Sequence, residues 1–186
     1  DISAWNTSKV ENMSSMFEDA DSFNQSLNNW DVSKVKTMKN MFRGAISFNQ
    51  PLNKWNVGEV MDMEEMFEAA YKFNQNINSW NVSKVKNMSY MFNSAKEFNQ
   101  PLDKWNVSSV EDMTCMFRYT KKFNQPLNSW NVSKVKYMEE MFYGAESFNQ
   151  NLNRWNVSKV KNMARMFCDA KKFNQDLSMW KVQGAT

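Results

Sequence analysis

Apolar residues recur along this chain with a period of 25. Trp5, Trp30, Trp55, Trp80, Trp105, Trp130, Trp155 and Trp180 are spaced by that interval and account for all eight tryptophans. Phe obeys the same rule, from Phe17 and Phe23 to Phe167 and Phe173, as do 14 of the 16 Met, paired like Met38 and Met41. A period this regular marks a tandem array in which no unit can bury its own apolar face and each stacks on its neighbours. One elongated domain over residues 1–186 is the expectation, with function on a repeated surface rather than in a single pocket.

In the second unit, Leu27-x-x-Trp30-x-Val32 leads into Ser33-x-Val35-x-x-Met38-x-x-Met41-Phe42-x-x-Ala45-x-x-Phe48-Asn49-Gln50, with nine of 25 positions apolar. Trp30 and Val32, two apart, predict a short strand with both side chains on one side. Val35, Met38, Met41, Phe42 and Ala45 recur at intervals of three, three, one and three, which predicts one face of a helix of about three turns. Ser33, matched by Ser8, Ser83, Ser108, Ser133 and Ser158, sits where that helix would start and reads as its cap, with Gly58 a tolerable exception. Strand then helix, repeated, predicts an α/β fold: a right-handed solenoid of seven repeats with short parallel strands on one side and short helices on the other. An eighth strand motif over Leu177 to Val182 would close it. The invariant Phe-Asn-Gln of each unit predicts an internal ladder of amides bonding rung to rung. Trp30, Val32, Met38, Met41, Phe42, Phe48 and Asn49 are therefore the expected repeat core, and the Trp column reads as core rather than as an aromatic platform for sugars.

Charge and composition narrow the chemistry. Lys plus Arg number 23 against 20 Asp plus Glu, well below the excess a nucleic-acid binder usually shows, so no nucleic acid is expected as partner. There is no His, which removes the commonest general base and metal ligand and excludes classical triads and zinc sites. The neighbours Glu64 and Glu65, and Glu139 and Glu140, fall between the two Met of a unit and are expected to face solvent rather than flank a cleft. No glycine-rich phosphate loop is present. Neither catalysis nor a cofactor or metal is expected. Cys115 and Cys168 occupy different places in their units and lie two rungs apart, which predicts free thiols. Apolar runs are a few residues long, far short of a membrane span. Because the chain starts inside a repeat, its lack of a leader or anchor says little about location.

Variation concentrates at positions without packing duty. The residue before each Trp reads Asn29, Lys54, Ser79, Lys104, Ser129, Arg154 and Met179, a cation on every second rung. The residues flanking the Val after Ser follow the opposite phase: Lys34 and Lys36, Lys84 and Lys86, Lys134 and Lys136 are basic, whereas Glu59 and Met61, then Ser109 and Glu111, are not. The seventh rung breaks the rule, carrying Arg154 together with Lys159 and Lys161. Alternation keeps like charges from stacking one rung apart. These cations are also the candidate binding surface, for a protein or an anionic surface polymer. Asn6, Asn81, Asn106, Asn131 and Asn156 stand in Asn-x-Ser form and would be glycosylation acceptors in a secretory eukaryote.

The run from Leu27 to Gln50 closely resembles the 25-to-26-residue repeat of bacterial surface proteins, a family related to the BspA-like leucine-rich repeats. That family occurs in lipoproteins and wall-anchored proteins of mycoplasmas, listeriae and lactic acid bacteria, and in some unicellular algae. The resemblance covers the whole chain, with few departures: Thr7 for Val, Gly58 and Gln183 for Ser, Thr120 for Ala and Lys181 for Asn. It implies a leucine-rich-repeat-like solenoid exposed at a microbial cell surface, a role in adhesion or protein binding, and no catalytic residues. Two other readings stay open. One is an architectural array joined through ends that do not look polar enough to cap the stack; the other is a carbohydrate-binding module, which requires solvent-exposed Trp.

Overall fold

The structure, a computed structural model, describes residues 1–184. It is a stack of 25-residue rungs in which equivalent residues form columns, but the α/β expectation fails. Among the described residues there is no helix, and β pairing is confined to isolated parallel bridges that link Asn12, Thr37, Asp62, Asn87, Asp112, Tyr137 and Asn162 in series. These bridges fall in the segment whose spacing predicted a helix. Trp30 and Val32, expected in a strand, lie outside any strand, and Leu177 to Val182 forms none either.

Each rung is a succession of tight turns. In the second rung Trp30 N–H donates to Leu27 O, Val35 to Val32, Met41 to Met38, Arg43 to Asn40, Ala45 to Phe42 and Phe48 to Ala45. Every one of these bonds spans three residues, so an apolar side chain every third position turns inward at successive corners. The same spacing serves one face of a helix, which is why the two could be confused. What forbids the helix is the backbone sign. Asn40 and Gly44 have φ of 57° and 67°, and their equivalents, from Ser15 and Asp19 to Arg165 and Asp169, share the left-handed conformation. This alternation turns the N–H groups of Met38, Asn40, Phe42 and Gly44 toward the next rung, where they meet the carbonyls of Asp62, Glu64, Met66 and Glu68 at 2.8–3.0 Å. In this ladder the donors all point toward the next rung, whereas the N–H groups of Lys36 and Ser47 donate to Glu11 O and Asp21 O of the preceding one.

The core between the turns is made of columns. Met38, Met41, Phe42, Ala45 and Phe48 are fully buried, and Trp30 and Val32 nearly so. Phe42 lies on Phe48 with ring centroids 4.1 Å apart, and the column through Phe42 repeats every 5.5–5.7 Å. Each Trp from Trp30 onward donates its indole N–H to a carbonyl 28 residues earlier, as Trp105 does to Ile77 O at 3.0 Å. A buried indole thereby satisfies both its apolar body and its polar tip.

Amides do bond rung to rung, but the ladder is not internal: Asn49 and its equivalents are half-buried, and Asn24 and Asn174 exposed, outside the apolar core. Asn Oδ1 of each Phe-Asn-Gln accepts the backbone N–H of the next Asn at 2.9–3.0 Å from Asn24 to Asn174. The following Gln side chain reaches the same oxygen, as Gln125 does on Asn99 at 3.1 Å. The reading of Ser33 as a helix cap is corrected: Asp31 Oδ1 accepts the Ser33 N–H at 3.0 Å, and Asn81, Asn106, Asn131 and Asn156 do the same for the Ser two residues on. The Asx residue is the one that closes the turn. Only the backbone N–H is needed, so Gly58 serves equally, bonded to Asn56 at 3.1 Å.

Candidate binding surfaces

Because Val35, Val60 and their equivalents point inward, the residues on either side of each Val turn outward. That places Lys34 and Lys36, and their equivalents, in two adjacent outer columns. Lys36 meets Glu11 at 2.8 Å, Lys84 meets Glu59 at 2.7 Å and Lys136 meets Glu111 at 2.5 Å, each pair separated by 25 residues. The bond to Lys36 holds the Glu11 carboxyl below its ordinary range, and Lys136 does the same for Glu111. Over the first five rungs the columns are thus a strip of mixed sign. Lys34 and Lys86 are exposed beside these carboxylates. The sixth and seventh rungs differ, since Lys134, Lys136, Lys159 and Lys161 follow one another there without an intervening acid.

The cations beside the tryptophans form a separate strip. Lys54, Lys104 and Arg154 are exposed, and their backbone N–H groups are held by Asn28, Asn78 and Asn128. Lys104 borders an open groove of about 430 Å³ with Asn53, Gln75, Asn76, Asn78 and Ser79, and Arg154 borders another of about 390 Å³ with Asn153, Asn156, Met179 and Lys181. Neither shares a residue with the grooves beside Lys134 to Lys161. The structure therefore divides the predicted cationic surface into two strips.

The tryptophans offer no platform: Trp30 to Trp155 are 2–3% exposed, and only Trp5, in the first rung, is open at 55%. Asn81 and its equivalents are exposed, with Oδ1 engaged in the Asx turn. Cys115 is buried, Cys168 is exposed and both are free; burial pushes the Cys115 thiol up to about 11.

One cluster was not foreseen. The carboxylate neighbours expected in solvent are half-buried on the turn ladder. Arg43 binds Glu18 at 2.7 Å, Glu65 at 3.0 Å and Glu68 at 3.1 Å, while Lys39 holds Glu64 at 2.8 Å. Desolvation, helped by Glu68, pushes Glu65 up to about 7 despite Arg43, because that guanidinium is shared among three acids. Farther along, Arg118 binds Glu140 at 2.7 Å and lies over the rings of Tyr119 and Tyr143. The signal for all of these was the column: charges 22 to 25 residues apart become neighbours once rungs stack. Among the described residues no group of three or more His, Cys, Asp or Glu has the geometry of a metal site.

The family described as Mycoplasma protein of unknown function, DUF285, matches residues 1–104 and again residues 95–186. No curated protein and no solved structure matches the chain.

Proposed function

The chain belongs, over its whole length, to that Mycoplasma protein family, and we propose that it is a non-enzymatic repeat scaffold that binds another macromolecule at the outside of a microbial cell. The observation that carries this reading is the division of labour within each rung. The invariant residues are spent on holding rung to rung: Trp and Phe stack, Asn and Gln bridge, and Asx closes turns. The residues that vary are outside the core and carry the charge, so a partner would read them without disturbing the stack. The resemblance to BspA-like surface repeats supports an extracellular place and a role in adhesion. The test has two arms: antibody labelling of intact source cells, and binding of the purified chain to a panel of matrix proteins and envelope polymers. Labelling only after permeabilisation, or no binding across the panel, would sink the proposal.

A second reading, end-to-end assembly, is favoured by the polarity of the turn ladder. Among the described residues the N–H groups of Met163, Arg165, Phe167 and Asp169 meet no carbonyl, and the carbonyls of Asn12, Ser14, Met16 and Glu18 meet no N–H. Those two rows match in the way that joins every interior pair of rungs. The row at Met163 would accept a further rung from the same chain or from a second copy. Growth of the light-scattering mass of this polypeptide with concentration, abolished when one row is blocked by Phe167→Pro, supports assembly; a constant monomer mass contradicts it.

A further inference from the structure

We propose that the face formed by the turn ladder binds a second copy of this chain, turned end for end about a twofold axis through the fourth rung. Three side chains of each rung stand on that face outside the core: the two between the paired Met and the one after the following Phe, such as Lys39, Asn40 and Arg43. Glu18 makes the first rung negative there, Lys39 and Arg43 make the second positive, and Glu64, Glu65 and Glu68 make the third negative. The fourth carries Ser89, Tyr90 and Asn93 and no charge. Beyond it the phase inverts: Arg118 makes the fifth positive, Glu139 and Glu140 the sixth negative, and Arg165 the seventh positive. The signs are therefore antisymmetric about the fourth rung.

Antisymmetry is what a twofold contact needs, because residue i of one copy meets residue j of the other and j meets i. With the second copy antiparallel, the second rung faces the sixth and the third faces the fifth. Lys39 of one copy then meets Glu139 of the other, Glu68 meets Arg118, Asn40 meets Glu140, and Arg43 meets the Tyr143 ring. No charge in these three columns meets its own sign, whereas a parallel copy would set every charge on itself. The like-charged pairs that remain, Asp62 with Asp112 and Asp19 with Asp169, lie in the flanking columns. Asp62 and Asp112 each already accept the N–H of the residue two on. The lysine strip lacks this property, since the same rotation sets Lys34 on Lys134 and Lys36 on Lys136.

The contact also supplies what one copy lacks. In the third rung Lys39 holds Glu64, while Arg43 is shared among Glu18, Glu65 and Glu68. Arg118 of the second copy would bring a further cation to that rung. Residue types agree: Tyr90 stands at the axis, Arg118 lies over Tyr119 and Tyr143, and Lys39 is the one lysine in the three columns. Tyr and Arg are enriched in interface cores and Lys is depleted. Shape agrees too. Ring centroids of successive Trp are 6.1–6.5 Å apart against 5.5–5.7 Å in the Phe42 column, and rungs joined by backbone bonds at the ladder come closer still. The stack therefore bends with this face inward, the concave surface on which stacked repeats hold partners. This contact is separate from the end-to-end one, which uses backbone groups at the two ends of the stack.

Light scattering of the whole chain across a wide concentration range tests it. A twofold contact closes, so the mass should rise to that of two chains and stop. Lys39→Glu sets carboxylate on carboxylate at both symmetry-related pairs of its own dimer, and Glu139→Lys sets ammonium on ammonium. Each variant alone should dimerise about a hundredfold more weakly, about tenfold for each pair. An equimolar mixture of the two restores opposite charges at both pairs and should dimerise within about threefold of wild type. Recovery on mixing separates a contact from a folding defect and identifies the antiparallel register. A monomer mass for the wild-type chain at every concentration, unchanged dimerisation of the variants, or no recovery on mixing overturns the inference. Should either variant melt unlike wild type, a salt series on the wild-type chain decides: dimerisation weakened tenfold or more between about 0.05 M and about 0.5 M supports the ion pairs, and unchanged dimerisation overturns them. Mass that grows without limit and is stopped by Phe167→Pro leaves the end-to-end reading standing and this one fallen. A wild-type monomer that binds a matrix protein leaves the scaffold reading alone.

Discussion

Asn99→Ala isolates the amide ladder. Asn99 Oδ1 receives the Asn124 N–H at 2.9 Å and the Gln125 side-chain amide at 3.1 Å, while the Asn99 N–H is held by Asn74 Oδ1 at 3.0 Å. Alanine leaves the last bond intact and removes the acceptor of the first two. Gln125 retains Asn99 O at 3.2 Å, but the Asn124 N–H has no second partner in the chain. A stranded amide costs about 1–3 kcal/mol and a lost neutral hydrogen bond about 0.5–1.5 kcal/mol. Asn99 and Asn124 are only half-buried, so water recovers part of this and the expected loss is about 1.5–3 kcal/mol. At this chain length that corresponds to roughly 3–12 °C of melting temperature. Asn99→Asp keeps an accepting oxygen in place and should lose less than about 1 kcal/mol. Urea titration followed by Trp fluorescence measures both. A loss below about 0.5 kcal/mol for alanine, or equal losses for alanine and aspartate, would refute the ladder as a stabilising element.

Trp105→Phe keeps a ring in its column but removes the indole N–H, leaving Ile77 O with the Trp80 N–H alone, and should destabilise by about 0.5–1.5 kcal/mol for the lost bond in the same titration. Gly144→Ala places a Cβ against the Tyr119 ring at a φ of 64°, so it should lose about 1–3 kcal/mol; part of that loss should return in Gly144→Ala combined with Tyr119→Ala, a coupling that a double-mutant cycle reads directly. Glu65, pushed up to about 7, binds its proton more tightly folded than unfolded, so its contribution should worsen as pH rises from about 4.5 to about 7. Stability of wild type relative to Glu65→Gln, measured at pH 5 and pH 7.5, should therefore fall at the higher pH; a constant difference would contradict the crowding of carboxylates around Arg43.

The parts of this fold that burial dictates were legible in the sequence. Trp30, Phe42 and Phe48 are large apolar residues repeated in every unit, which must be buried between rungs, and an amide fixed at Asn49 in every unit needs a partner in the next. Local geometry was hidden because intervals of three are common to a helix face and to a run of three-residue turns. The decisive quantity, the sign of φ, leaves little trace in residue type: one left-handed column holds Ser15, Asn40, Glu65, Tyr90, Cys115, Glu140 and Arg165. Gly44 and Gly144 in the second column were the only strong hints, and five other residues share their conformation. The candidate lysines were legible as outward positions. Their pairing required matching each charge with the one 25 residues away, as for Lys84 and Glu59, and the separation into two strips required knowing where the turns bend the chain.

The central structural claim is that these rungs are turns with left-handed corners and contain no helix. Ala69 and Ala70 are adjacent, yet Ala69 sits at a φ of 53° while Ala70 is fully buried in the core column at an ordinary backbone angle. The deciding measurement is the urea stability of Ala69→Gly beside that of Ala70→Gly. Glycine relieves a left-handed residue of about 1 kcal/mol or more, which offsets its entropic cost, so Ala69→Gly should be neutral or stabilising while Ala70→Gly loses about 1 kcal/mol or more. Losses of about 1 kcal/mol at both positions, the expectation for neighbours in a helix, would contradict the account.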